Sequence, residues 1–167
     1  MKILYPQLYV SSLFNINLDM LKARGIKGII FDLDNTIIPR DQNTISIDIY
    51  NWILELKKQN FKLCIVSNNR RQNRVSFLAE KLGILYIYKA AKPRRKAFCK
   101  GMQLLGTDVN TTAVIGDQVF TDVIGGNRLG LFTILVVPLP GKEFWGTYFF
   151  NRQLEKLVLH KIKKHLT

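Results

Sequence analysis

Apolar positions along this chain fall into two alternating spacings. Five short runs are nearly continuous: Ile29-Ile30-Phe31, Lys62–Val66, Ile84–Tyr88, Thr112–Ile115 and Leu131–Val137. Runs of that length, rich in β-branched residues and closed by polar or turn residues, predict strands buried on both faces of a parallel sheet. Between them the apolar residues recur at helical intervals. Ser46 is a suitable N-cap for a helix through about Gln59, with Ile49, Ile53 and Leu56 on one face. Val75, Leu78, Ala79 and Leu82 follow the i, i+3, i+4, i+7 pattern, and Gly83 closes that helix. Arg94–Leu105 predicts another, with Ala97, Phe98, Met102 and Leu105 inward and Gly106 as its stop. Val119, Phe120, Val123 and Ile124 mark a further helix, which Gly125-Gly126 shorten or hold close to the sheet.

The two ends of the chain break this rhythm. Residues 1–17 carry Leu4, Tyr5, Leu8, Tyr9, Val10, Leu13 and Phe14 without a clean period, and predict an arm packed on the domain. Asn17 can cap a short helix over Leu18–Arg24. The other end, about 149–167, predicts a basic helix in which Leu154, Leu157, Val158 and Ile162 alternate with Arg152, Lys156, Lys161, Lys163 and Lys164. His160 and His165 lack the spacing of a metal pair and add to its basic end. Five strand–helix alternations in 167 residues predict one α/β domain, residues 1–167, doubly wound and Rossmann-like around a five-stranded parallel sheet.

In such folds ligands bind beyond the carboxyl ends of the strands. The ends of four consecutive predicted strands offer Asp32 and Asp34, Ser67, Lys92, and Asp117 with Asp122. Each residue alone has a bland explanation: a solvated turn, a helix cap, an exposed lysine. Their coincidence at one edge favours a site. If strand geometry persists to Asp34, the Asp32 and Asp34 carboxylates face the same space, and a hard divalent cation such as Mg²⁺ relieves their repulsion. One carboxylate can then attack phosphorus while the other moves a proton.

These residues carry a family resemblance. Asp32-Leu33-Asp34-Asn35-Thr36, Ser67, Lys92 and Gly116-Asp117-Gln118 through Asp122 resemble, in order, the four motifs of the haloacid-dehalogenase (HAD) superfamily of phosphatases. The resemblance implies an aspartyl-phosphate on Asp32 and a proton carrier at Asp34. It implies that Ser67 and the backbone N–H of Asn68 hold phosphoryl oxygens, and that Lys92 neutralises charge. Mg²⁺ would be held by Asp32, the carbonyl of Asp34, and Asp117, with Asp122 a ligand through water or a partner of the ligands. Between Asp34 and Ser67 lie 32 residues, and between Ser67 and Lys92 lie 24. Neither gap holds another domain of roughly 50 residues, so the HAD fold is expected without a cap, as in subfamily III. More narrowly, Tyr5-Pro6, Gly25–Thr36, Ser67-Asn68-Asn69, Ala91-Lys92-Pro93, Gly116–Asp122 and Pro138–Arg152 resemble the YqeG-type phosphatases, themselves similar to mitochondrial phosphatidylglycerophosphate phosphatases.

Charge narrows the partners. A net +13, from 25 Lys and Arg against 12 Asp and Glu, implies anionic ones. Arg70, Arg71 and Arg74 follow the second motif, while Lys89, Arg94, Arg95 and Lys96 surround Lys92. These predict a cationic rim for a substrate or surface bearing several negative charges. Phe144, Trp145, Tyr148, Phe149 and Phe150 beside the basic terminal helix resemble an interfacial anchor. The resulting expectation is a phosphatase of a phospholipid, phosphatidylglycerophosphate, at an anionic membrane. The alternatives are a nucleic-acid-associated protein or end-processing phosphatase, or a phosphatase of another large or soluble substrate. Cys64 and Cys99 both fall in apolar segments and are expected as buried thiols of a reducing compartment. Without a signal-peptide pattern or a run of about 20 apolar residues, a cytoplasmic protein, peripheral on the inner face of the membrane, is expected.

Overall fold

A computed structural model of the chain describes residues 2–140. The terminal basic helix and its aromatic residues, expected near 149–167, lie outside the described residues. Within them runs a single parallel sheet flanked by helices on both faces. In chain order its elements are β1 (Leu8–Val10), α1 (Leu18–Ala23), β2 (Gly28–Phe31), α2 (Ile47–Lys58), β3 (Lys62–Val66), α3 (Gln72–Leu82), β4 (Leu85–Ile87), α4 (Arg95–Leu105), β5 (Thr112–Gly116), a π-helical turn (Val119–Val123), α5 (Ile124–Asn127) and β6 (Phe132–Val136). The strand order is β1-β6-β5-β2-β3-β4, and every pairing is parallel.

The sheet therefore has six strands where five are expected. The sixth is β1, inside the segment expected as an arm, and it pairs Leu8, Tyr9 and Val10 with Ile134, Leu135 and Val136. A three-residue edge strand, only half-buried, is too short to display an alternation of its own.

Alternation across the sheet explains why both faces are apolar. Ile29 and Phe31 of β2, Leu63 and Ile65 of β3, and Ala113 and Ile115 of β5 join one core, with α1, α2 and α3. Their neighbours Ile30, Cys64, Val66 and Val114 join a second core built on Phe98, Met102 and Leu105 of α4. The expected helical caps are in place. Ser46 accepts from the Ile49 N–H, Asn17 accepts from the Met20 N–H, and Gly83 and Gly106 end α3 and α4 in the left-handed conformation. Cys64 is buried but Cys99 is exposed, against expectation. It stands one position past Phe98, off the stripe that Ala97, Phe98, Gly101, Met102 and Leu105 bury.

β2 lies between β3 and β5. The chain winds outward from β2 to β4, then returns to the other side for β5 and β6, beyond which the first strand, β1, forms the edge. The carboxyl end of β2 is thus the point where winding direction reverses, the place where ligands bind in folds of this kind. Asp32 follows it directly, and its N–H still bonds the Ile115 carbonyl of β5 at 2.9 Å.

Candidate active site

Six charged side chains are buried among the described residues: Asp32, Asp34, Arg74, Lys92, Asp117 and Asp122. Isolated, each would carry a large desolvation cost, and their partners show how the cost is met. Lys92 Nζ bonds Asp32 Oδ1 and Asp122 Oδ1, both at 2.6 Å. Asp122 Oδ2 accepts from the Gln118 N–H at 3.3 Å and from Thr121 Oγ1 at 3.2 Å. Asp117 Oδ1 accepts from Thr36 Oγ1 at 3.1 Å.

The backbone brings these groups together. The π-helical turn after β5 carries Asp122 back toward the strand end, so close that a Cβ on Gly116 would lie 2.3 Å from the Asp122 carboxylate. Glycine at 116 is what permits that approach. Gly125 and Gly126 play the same part behind the site, where an added Cβ would meet Phe98 at 2.3 Å and Thr133 at 2.4 Å. Lys92 is reached through a β4–α4 loop in which Lys89 and Ala91 adopt positive φ, 49° and 58°. Left-handed non-glycine residues persist only where their surroundings hold them. Part of that hold is the Asn68 side chain, whose amide donates to the Lys92 carbonyl (3.1 Å) while its oxygen accepts from the Lys92 N–H (2.7 Å). Ser67, buried at the end of β3, accepts from the Asn69 N–H through Oγ at 3.1 Å.

Asp34 departs from the expected arrangement. β2 ends at Phe31, and Asp34 instead bridges to Ile38 in a tight loop in which Asn35 has φ 63°. Asp32 and Asp34 are therefore not consecutive outward positions of one strand, and their carboxylates take separate cations. Asp32 takes Lys92. Asp34 takes Arg74, Nη1 to Oδ1 at 2.6 Å, and Asn69, Nδ2 to Oδ2 at 2.8 Å. Arg74, expected on an open cationic rim, is buried. The remaining rim residues, Arg70, Arg71, Lys89, Arg94, Arg95 and Lys96, are exposed as expected.

The electrostatics of the cluster point to a cation. Carboxylate oxygens of Asp32, Asp117 and Asp122 lie within 4.8 Å of one another, with one lysine among them. Burial pushes Asp32 up to about 7, with Lys92 opposing and Asp122 adding to the rise. Burial, with Asp32 and Asp122 close by, raises Asp117 as well. Burial alone would lower Lys92, but Asp122 and Asp32 outweigh it and hold the ammonium charged. Three carboxylates around one ammonium leave negative charge unbalanced in a buried space, and an all-oxygen donor set suits a hard divalent ion. The donors fit such an ion.

Asp32 raised from 3.8 to about 7 favours the metal-free fold at low pH, and that contribution is lost as pH rises toward 7. The same proton competes with a cation, since ligands bind deprotonated. Mg²⁺ at a hundredfold excess over its dissociation constant stabilises by about 2.7 kcal/mol, which for a chain of this size raises Tm by about 5 to 10 °C. The shift should be full near pH 8 and much smaller near pH 5. Scanning calorimetry with and without Mg²⁺ checks this. No shift, or an equal one at both pH values, removes the carboxylates as the cation site.

Comparison with known proteins first defines the class. A solved structure described as a HAD phosphatase from Thermococcus onnurineus shares the fold, with a TM-score of 0.58 at 16% identity over 80% of this chain and 98% of that one. At that identity the likeness is one of fold: the sheet has the HAD fold. The particular family follows from sequence. The model of the family described as mitochondrial PGP phosphatase matches residues 1–138. The chain is 42% identical to "Probable phosphatase YqeG" of Bacillus subtilis (strain 168), across 98% of this chain and 94% of that protein. It is 27% identical to "Phosphatidylglycerophosphate phosphatase 1, chloroplastic/mitochondrial" of Arabidopsis thaliana, across 96% of this chain, and spans 48% of that protein's length. The chain belongs to this family of YqeG-like HAD phosphatases and is a phosphoric monoester hydrolase.

Proposed function

We propose that the protein is a Mg²⁺-dependent phosphatase that works through an aspartyl-phosphate on Asp32 and dephosphorylates phosphatidylglycerophosphate to phosphatidylglycerol at an anionic membrane. The observation that carries the chemistry is the buried Asp32–Lys92–Asp122 chain at the strand switch point. Lys92 holds Oδ1 of Asp32, and the other carboxylate oxygen attacks phosphorus as the ester P–O bond breaks. Asp34, as the proton carrier, delivers a proton to the departing alkoxide oxygen. Asp34 then takes a proton from water, which attacks the phosphoryl group, breaks the Asp32–P bond and releases inorganic phosphate. Ser67 Oγ and the Asn68 N–H steady the phosphoryl oxygens, and Lys92 balances their charge. Mg²⁺ would be held by Asp32, Asp117 and the Asp34 carbonyl, where it neutralises charge on the transferring group. Asp122, whose oxygens are taken by Lys92, Gln118 and Thr121, acts by holding Lys92 in place.

The lipid substrate rests on the family and on the rim. None of Arg70, Arg71, Lys89, Arg94, Arg95 and Lys96 forms an ion pair with another described residue, so their charge faces outward. Basic side chains near an anionic bilayer contribute about 1 kcal/mol each. Among the described residues no helix is long and apolar enough to cross a membrane, which fits peripheral contact. Phosphate release from phosphatidylglycerophosphate in mixed micelles should far exceed release from soluble sugar phosphates and nucleotides. Arg71→Glu with Arg95→Glu should raise apparent KM for the micelles and weaken its salt dependence. Higher kcat/KM on nucleotides or phosphorylated nucleic-acid ends than on the lipid would remove the lipid assignment and leave the chemistry standing.

A further inference from the structure

Five of the six buried charged groups have roles in the proposed mechanism; Arg74 is the sixth. We infer that Arg74 is the positioning residue for Asp34, fixing the proton-carrying carboxylate relative to the segment that binds the phosphoryl group. This inference rests on the reading of Asp34 as proton carrier.

Arg74 stands in the first turn of α3 and its guanidinium spreads over three parts of the chain. Nη1 bonds Asp34 Oδ1 at 2.6 Å. Nε bonds Asn43 Oδ1 at 3.0 Å. Nη2 reaches the Gln42 carbonyl at 2.9 Å and the Pro39 carbonyl at 3.4 Å. A planar fork of donors suits acceptors in several fixed directions, which an ammonium does not. The second oxygen of Asp34 is held by Asn69, whose own N–H is bound by Ser67 Oγ. Both oxygens of Asp34 are thus held from the β3–α3 segment that carries Ser67. Asp34 and the phosphate-binding serine are set by one rigid piece of chain.

Stability alone is a poor reason for this arrangement. A buried ion pair is often no more stabilising than apolar residues of the same volume. Positioning is a better one. A proton carrier that wanders by about 1 Å costs on the order of 10²-fold in rate, and Arg74 ties Asp34 to the Pro39, Gln42 and Asn43 stretch of the same loop.

The test separates positioning from binding and from folding by leaving group. Phenyl phosphate needs a proton delivered to its departing oxygen far more than p-nitrophenyl phosphate does. The ratio of their kcat/KM values reports the first phosphoryl transfer. Arg74→Gln should lower kcat/KM on phenyl phosphate by about 10²-fold and on p-nitrophenyl phosphate by much less, with the inhibition constant for inorganic phosphate unchanged. Arg74→Lys should recover part of the loss. Asn43→Ala, at an exposed position, should show the same signature more weakly with the fold undisturbed. Equal losses on both esters, or a change confined to the phosphate inhibition constant, overturn the inference. Asp34→Asn serves as the reference: without a leaving-group signature of its own, the proton-carrier reading fails first and Arg74 has nothing to position.

Discussion

Replacing Asp32 with Asn is expected to reduce turnover on the order of 10⁴ to 10⁶-fold, the range spanned when one member of a catalytic set is removed from an otherwise intact site. Asparagine keeps the shape of the side chain and an oxygen for Lys92, but its amide is no nucleophile toward phosphorus. The fold should tolerate the change well. Burial already raises Asp32 to about 7, so the ionised carboxylate is held at a cost that an amide avoids, and Lys92 keeps Asp122 as its counter-ion at 2.6 Å. Tm near pH 7.5 should therefore fall by no more than a few degrees. Steady-state phosphate release and calorimetry on the same preparation decide the matter. Parental activity in Asp32→Asn, or undiminished activity of the parent in excess EDTA, would falsify the covalent, cation-assisted mechanism.

The parts of this site that sequence exposes are those tied to strand ends. Asp32, Ser67, Lys92 and Asp117 each follow a short apolar run, and parallel winding alone gathers such positions at one edge. Asp122 is less direct. Its place five residues beyond Asp117 is ambiguous until the π-helical turn and Gly116 are seen to bring it back against the strand. Arg74 escapes for a different reason. In sequence it is one of three arginines after the second motif, and basic residues in a polar stretch are ordinarily solvated. A signal was there in the spacing: 74, 78 and 82 are successive i+4 steps, so Arg74 continues the stripe that buries Leu78 and Leu82. An arginine on a buried stripe demands an acid, and Asp34 is that acid. Asn68 has a similar history. Its expected contribution is a backbone donor, while its side chain also clamps the main chain of Lys92, a long-range pairing that no local pattern encodes. β1 is hidden because three half-buried residues cannot display a period.

Removing the charge of Lys92 is expected to be the most destabilising single change at this edge. Lys92→Met keeps length and volume while leaving Asp32 and Asp122 buried, 8% and 1% exposed, without their common cation. Breaking a buried ion pair from one side costs about 3 to 5 kcal/mol, which for a chain of this size lowers Tm by about 6 to 20 °C. Three features mark the loss as electrostatic. It should shrink as pH falls through about 7, because Asp32, raised by burial to about 7 with Lys92 still opposing the rise, and Asp117, also raised by burial, take up protons and the repulsion with Asp122 is relieved. Mg²⁺ should restore part of Tm by supplying positive charge to the same cluster of carboxylates, while activity stays lost for want of the ammonium at the phosphoryl group. Adding Asp122→Asn should recover part of Tm, since residues in contact do not add and the double variant has one fewer unpaired carboxylate. A Lys92→Met protein as stable as the parent near pH 7.5 without Mg²⁺, or a double variant less stable than the single one, would mean that the 2.6 Å contacts to Asp32 and Asp122 do not carry the charge balance of the site.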